Sequence, residues 1–326
     1  MVEFDYCVAI RTLGTAGNKY QVLLDSLNSQ TIKPKKILVY IPYGYELPKE
    51  TIGWEVYIRC PKGMVTQRSL PFDEIDTEYI LFCDDDLWLA DNFVETLYNG
   101  LCANDGDCIA PDVFRVQDMT AIGKIKKAIA GFAFPRKNDG WAFKIMRNAS
   151  YTYNEYPTKD VIPTESSAGG CLLIKKFVYN AIHFEDERWM EDFGYPLGED
   201  LLFSNKLYIM GYRVLICYNA GIKHLDAGSG GNPSLSDKIR QELALSYVVQ
   251  YRIKYSLQRN SGFEKVLCII STCIKYSERF LFIFLKQLLK NHKIFVLDFV
   301  GGICDGMKYV HSEKYKNVPP FDAYII

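Results

Sequence analysis

Residues 84–86 are three consecutive aspartates, set between the apolar run YILFC and the apolar triplet LWL. Three like charges at the end of a buried strand repel one another, and each resists desolvation. A divalent cation relieves both problems. Mg2+ and Mn2+ take hard oxygen ligands and keep positions open for phosphate oxygens. The plainer alternative is a solvated turn that caps the next helix, but Asp91 is better placed for that cap. A second acidic site, Glu199-Asp200, opens the segment GEDLLFSNKLYIMGY. A helix N-terminus favours negative charge for its own reasons, so alone this pair is ordinary helix chemistry. With the aspartates it gains meaning. One acidic site for a metal and one for proton removal is what group transfer from a nucleoside diphosphate to a hydroxyl requires.

The elements that must position these acids follow from periodicity. FDYCVAI (4–10) reads as a short buried strand, and GNKYQVLLDSLNSQ as a helix with Tyr20, Leu23, Leu24 and Leu27 at helical spacing. KKILVYIP, WEVYIRC, YILFC and DCIAPDVF read as further strands, and ADNFVETLYNGL as a helix capped by Asp91. Residues 112–165 lack a clean period and read as an excursion over the active face, with a helix near AIGKIKKAIAGF. A strand running into a helix returns at SSAGGCLLIKKFVYNAI, then the GEDLLF helix closed by Gly211, the strand YRVLICY, and a His in AGIKHLDAG. Alternating strands and helices with short links predict an α/β domain with a largely parallel sheet. Such sheets bind ligands at the carboxyl ends of their strands.

Composition narrows the function classes. The 326 residues are 48% hydrophobic and carry a net charge of −1, which excludes a global polyanion binder. The charge is uneven. Residues 236–326 hold 14 Lys and Arg against 8 Asp and Glu, net +6, so the remainder is net −7. An acidic body with a basic tail suggests two surfaces. The ten cysteines form no CxxC and no zinc spacing, and most sit in apolar runs as reduced thiols. With no signal peptide at MVEFDYCVAI, a reducing cytoplasm is expected.

The order of these pieces resembles the family-2 glycosyltransferases of GT-A fold, bacterial surface-polysaccharide type. The matching pieces are CVAIRT, LLDSLNSQTIKPKKILV, KGMVTQRSLPFDEIDTEYILFCDDD, AGGCLLIKKFVYNAI and GEDLLFSNKLYIMGYRVLICYNAGIKH, together about residues 4–228. The resemblance implies a Rossmann-like mixed, mostly parallel sheet with flanking helices and a helical C-terminal extension. It implies a catalytic domain over 1–235, its nucleotide half about 1–111 and its acceptor half about 112–235, followed by the basic amphipathic region 236–326. Asp84 and Asp86 would form the DxD motif, with Asp86 the direct metal ligand; the triplet allows a second register through Asp85. Asp200 would be the general base, and Glu199 would orient the acceptor or that base. Arg11 and Thr12 would meet the nucleotide at the first strand, with Arg68 nearby. His224 would reach the metal or diphosphate, or serve as a structural histidine.

The implied cofactor is Mn2+ or Mg2+. The implied partners are a nucleotide-sugar donor, UDP by default, and a glycan or lipid-linked acceptor. Inversion at the anomeric carbon is inherited from the resemblance alone. Where the family places acidic residues that help read the base, this chain has VYIPYGYELP, with Tyr40 and Tyr43 free to stack on a base or to fill the strand end.

The tail leaves three readings open: membrane-interface contact, packing on the catalytic domain, or packing on another subunit. Neither apolar half of FEKVLCIISTCIKYSERFLFIFLKQLLKN reaches the roughly 20 residues a bilayer needs. No nucleic-acid motif is present, and the acidic body argues against that partner. Two other functions compete: a sugar-phosphate nucleotidyltransferase, which RTLGTAGNKY serves poorly as a phosphate loop, and a non-catalytic sugar-nucleotide or glycan-binding protein.

Overall fold

The structure is a computed structural model that describes residues 4–113, 140–167, 169–225, 235–255, 262–290, 295–321 and 323–324. The helix expected near residues 121–132 lies outside these.

The mixed, largely parallel sheet with flanking helices bears out the expected fold class. Its order is β3-β2-β1-β4-β8-β6-β9-β7. The strands are β1 (Tyr6–Arg11), β2 (Ile37–Pro42), β3 (Val56–Cys60), β4 (Tyr79–Asp84), β6 (Cys108–Pro111), β7 (Val161–Pro163), β8 (Cys171–Lys175) and β9 (Val214–Cys217). β1, β2, β3 and β4 pair in parallel, while β8 lies antiparallel between β4 and β6. A separate two-stranded ribbon joins β5 (Leu87–Leu89) to β10 (Ile222–His224).

Burial follows the pleat. On β1, Cys7 and Ala9 face one core, while Tyr6, Val8 and Ile10 face the other; on β4, Ile80 and Phe82 oppose Tyr79, Leu81 and Cys83. Both faces are covered, which is why β2 reads ILVYIP and is buried at every position. Helix α1 (Asn18–Asn28) buries Tyr20, Leu23, Leu24 and Leu27, the stripe its spacing predicts. Helices α2 (Met64–Arg68), α3 (Phe93–Ala103), α4 (Lys176–Ala181) and α5 (Glu199–Ile209) complete the body. A 3-10 segment, Phe184–Phe193, links α4 to α5. The Asp91 cap is not realised. The N-cap position of α3 is Asn92, without a side-chain bond, and the Asp91 carbonyl instead accepts from Thr31 N at 2.7 Å.

The C-terminal helices are α6 (Leu235–Gln250), continued by the π turn Tyr251–Tyr255, then α7 (Gly262–Lys290), α8 (Phe295–Val310) and α9 (Glu313–Lys316). They pack on the body through a buried ion pair. Glu187, fully buried on the 3-10 segment, accepts from Arg252 Nη2 at 2.7 Å and Nε at 3.1 Å, and from Trp189 Nε1 at 2.7 Å. Tyr309 and Lys314 both bond Asp192, and Gln250 donates to Asn148 O at 2.6 Å. Part of the tail thus packs on the body, while α7 keeps exposed apolar residues such as Phe263 and Phe282. Among the described residues, no helix is long and apolar enough to cross a membrane.

Candidate active site

β1 is followed in chain order by β2 on one side, and the chain then crosses to β4 on the other. The crevice at the carboxyl ends of β1 and β4 is a topological switch point. The parallel register places Arg11 directly beside Asp84 there. Arg11 Nη2 donates to Asp84 Oδ1 at 2.9 Å, and Nη1 reaches Glu199 Oε1 at 3.4 Å. Arg68 Nε stands 2.7 Å from Glu199 Oε2, and its Nη2 pairs with Asp200. The result is one chain of charges: Asp84, Arg11, Glu199, Arg68, Asp200. The two acidic sites, more than a hundred residues apart in sequence, are neighbours.

Local structure explains each position. The antiparallel β8 begins where β4 ends, so Gly170 O accepts from Asp84 N at 2.7 Å. Gly170 has φ +100, a backbone that other residues rarely adopt. A Cβ at Gly169 would collide with the Asp200 carboxylate. Arg68 ends α2, whose first turn is held by Glu191: Thr66 N and Oγ1 both donate to it at 2.8 Å. Tyr179 Oη donates to Arg68 O at 2.8 Å. Glu199 and Asp200 open α5 after Gly198, which is left-handed at φ 88.

The three aspartates point to three different partners. Asp84 meets Arg11, Asp85 accepts from Thr12 Oγ1, and Asp86 Oδ1 lies 3.2 Å from His224 Nε2. The β5–β10 ribbon makes the last contact by pairing His224 with Leu87. Burial, and then the charges of Asp86 and Asp84, push the Asp85 carboxyl up to about 6 against the opposing Thr12 bond. Burial, with the like charge of Arg11, pushes Arg68 down to about 10. Burial also opposes the charge on Arg11, but Asp84 and Glu199 outweigh it and raise its pKa. Arg11 Nε is buried without a hydrogen-bond partner.

Of the expected site residues, Asp84, Asp200 and His224 are partly exposed, whereas Arg11, Thr12, Arg68 and Asp86 are largely buried. Glu199 is 1% exposed and bound to both arginines. Tyr40 is buried against Phe72, with its hydroxyl 3.3 Å from Glu74, so it fills the strand end; Tyr43 is exposed. Periodicity missed β5, β7, β10 and the 3-10 segment, each too short or irregular to leave a period. The one sequence signal for the ribbon was the apolar LWL directly after three acids.

Residues 56–175 match the model of the family described as Glycosyl transferase family 2. Over that segment, a little over a third of its length, the chain is similar to glycosyltransferase family 2. The matched segment runs from β3 through β8. It contains Arg68 and the three aspartates, but neither Arg11-Thr12 nor Glu199-Asp200. The chain is 26% identical over 224 residues to "Glycosyltransferase GlyA" of Streptococcus pneumoniae serotype 4 (strain ATCC BAA-334 / TIGR4), covering 66% of this chain and 30% of that protein. It thus spans less than a third of that relative's length. Among solved structures, the crystal structure of GalNAc-T7 with UDP, GalNAc and Mn2+ has a TM-score of 0.47 and 13% identity, over 89% of this chain and 59% of that one.

Proposed function

We propose that this protein moves a sugar from a nucleoside diphosphate donor, UDP-linked by default, to a hydroxyl of a glycan or lipid-linked acceptor in surface polysaccharide synthesis. The observation that carries this reading is the charge chain from Asp84 to Asp200 across the switch point. It joins the residues that, in this reading, would bind a diphosphate to the one that would remove a proton.

The donor set suits a divalent cation. Carboxylates are close together where burial, and then the charges of Asp86 and Asp84, disfavour ionisation of Asp85. Among the described residues no three His, Cys, Asp or Glu side chains are grouped for a metal, so phosphate oxygens would complete the shell. Asp86, Asp84 and His224 would hold Mn2+ or Mg2+, which offsets charge on a leaving diphosphate. Arg11, whose buried Nε lacks a hydrogen-bond partner, would face the diphosphate, and Thr12, Arg68 and Asp85 would lie around the nucleotide.

Asp200 would take the proton of the acceptor hydroxyl. Its carboxylate is partly exposed and lines cavities on two sides. Arg68 fixes that carboxylate and favours its charged form, which a base needs before it can accept a proton. The acceptor oxygen would then attack the anomeric carbon from the face opposite the diphosphate, with inversion. Glu199 serves by holding both arginines. Residues 1–235 are the catalytic domain in this reading, and 236–326 an extension packed on it. The exposed apolar residues of α7, among them Phe263, Ile270, Phe282 and Leu285, would lie against a membrane interface on the inner face of the cytoplasmic membrane.

A donor screen tests the reading. The purified chain is incubated with Mn2+ and UDP-, GDP- and dTDP-sugars, with and without glycan acceptors, and nucleoside diphosphate release is measured. Release with one donor, lost in Asp86→Ala, is expected. Asp200→Asn should bind that donor and turn over about 100- to 10,000-fold more slowly. No metal-dependent binding of any donor would end the transferase reading.

A further inference from the structure

A cavity of about 480 Å3 opens beside Asp200, on the side away from the aspartate triplet. The catalytic body supplies one wall through Ser167, Gly169, Asp200 and Leu201. The opposite wall comes from the C-terminal extension. Glu242, Ser246 and Gln250 of α6 line it, with Lys275 and Arg279 of α7. Neither Arg11, Thr12 nor any residue of 84–86 lines this space. It adjoins the small cavity lined by Arg11 and Arg68, with which it shares Ser167, Gly169 and Asp200.

Lys275 and Arg279 are four residues apart on one helix, so their side chains lie on the same face. Both line the cavity. Lys275 Nζ donates to Asn148 O at 3.2 Å, a neutral partner. Among the described residues neither cation has a carboxylate within salt-bridge distance. Glu242, the acid on the same wall, is paired with Lys238 at 3.8 Å. Burial, and then the charge of Arg279, push the Lys275 ammonium down to about 8. The partly buried Lys275 ammonium shares the cavity with the exposed Arg279 guanidinium, and an anion between them would offset their repulsion. A guanidinium and an ammonium together suit the oxygens of phosphate or carboxylate.

We propose that this cavity is the acceptor pocket and that Lys275 and Arg279 form a subsite for an oxyanion, phosphate or carboxylate, carried by the acceptor. The proposal rests on the transferase reading for the word acceptor, but not for the anion site itself. It gives the C-terminal extension a direct part in substrate choice. A neutral glycan would leave the two charges unpaired, whereas an acceptor with a phosphate or a uronic acid would pair them.

The test is calorimetric titration of the full chain with octyl phosphate, glucuronate and octyl glucoside. Octyl phosphate or glucuronate should bind, and octyl glucoside should bind more weakly; the tighter of the two anions names the group. K275M/R279M should weaken anion binding by about tenfold or more. K275R/R279K, which keeps both charges, should retain it. R279M alone alters an exposed side chain and should weaken binding without a folding defect. No anion binding by the wild type, equal binding of the neutral glucoside, or unchanged anion binding in R279M and K275M/R279M would overturn the proposal. A separate titration of the wild type with UDP and Mn2+ keeps the two readings apart. Failure there sinks the transferase reading and leaves the anion result standing.

Discussion

The Arg68 guanidinium and the Glu199 carboxylate meet at 2.7 Å, with side-chain exposures of 5% and 1%. Glu199 also holds Arg11 at 3.4 Å, so one buried acid ties down two arginines. Removing Arg68 leaves that acid with the longer contact only. Arg68→Ala should cost about 3–5 kcal/mol, because an uncompensated buried charge is far worse than a missing pair. Arg68→Lys should cost less, since it keeps the charge but loses the planar fork. Urea unfolding of both variants measures this, and equal stability of wild type and Arg68→Ala would refute the buried-pair account.

The second expectation concerns Asp86 and His224, 3.2 Å apart at the start of the β5–β10 ribbon. Asp86→Ala should abolish metal-dependent nucleotide binding. His224→Ala should weaken it by about 10- to 100-fold if the ring is a ligand or orients one. Titration of UDP with and without Mn2+ reads both. A metal-independent change in His224→Ala would assign the ring to the ribbon's stability instead.

Gly169 gives a test of Asp200 placement. An added Cβ would run into the Asp200 carboxylate and force it off Arg68. Gly169→Ala should therefore lower kcat by about 100-fold or more while changing donor affinity little. A parallel loss of donor affinity would mean that the substitution has disturbed the neighbouring β4–β8 junction as well.

Glu187 links stability to pH. Burial opposes its charge, but Arg252 and Lys206 outweigh that and hold its pKa below the usual 4.5. A carboxyl with a depressed folded pKa contributes stability that is present above the unfolded value and is lost as pH falls through the folded one. Glu187→Gln should lower the melting temperature at pH 7, and the gap to wild type should narrow as pH falls below about 4.5. A gap that stays constant with pH would show that packing around residue 187, and not its charge, holds the C-terminal helices.

The sequence by itself determined the body of the sheet and the identity of the acids. Continuous apolar runs such as ILVYIP and YILFC become buried strands because their neighbours along the chain suffice to specify them. Three acids after YILFC must end that strand at a polar edge, and Glu199-Asp200 must open a helix after Gly198. The tertiary structure alone decided who meets whom. Arg11 and Glu199 are 188 residues apart, and their contact depends on β1 lying beside β4 and on β8 returning antiparallel. Glu199 reads as a helix-opening acid in sequence, yet its burial between two arginines sets what it does. The ribbon that delivers His224 is two three-residue strands, too short to leave a period. The C-terminal helices show amphipathic faces in sequence, but an apolar stripe does not name what covers it. Arg252 on Glu187, and Lys275 beside the Asp200 cavity, settle that only in three dimensions.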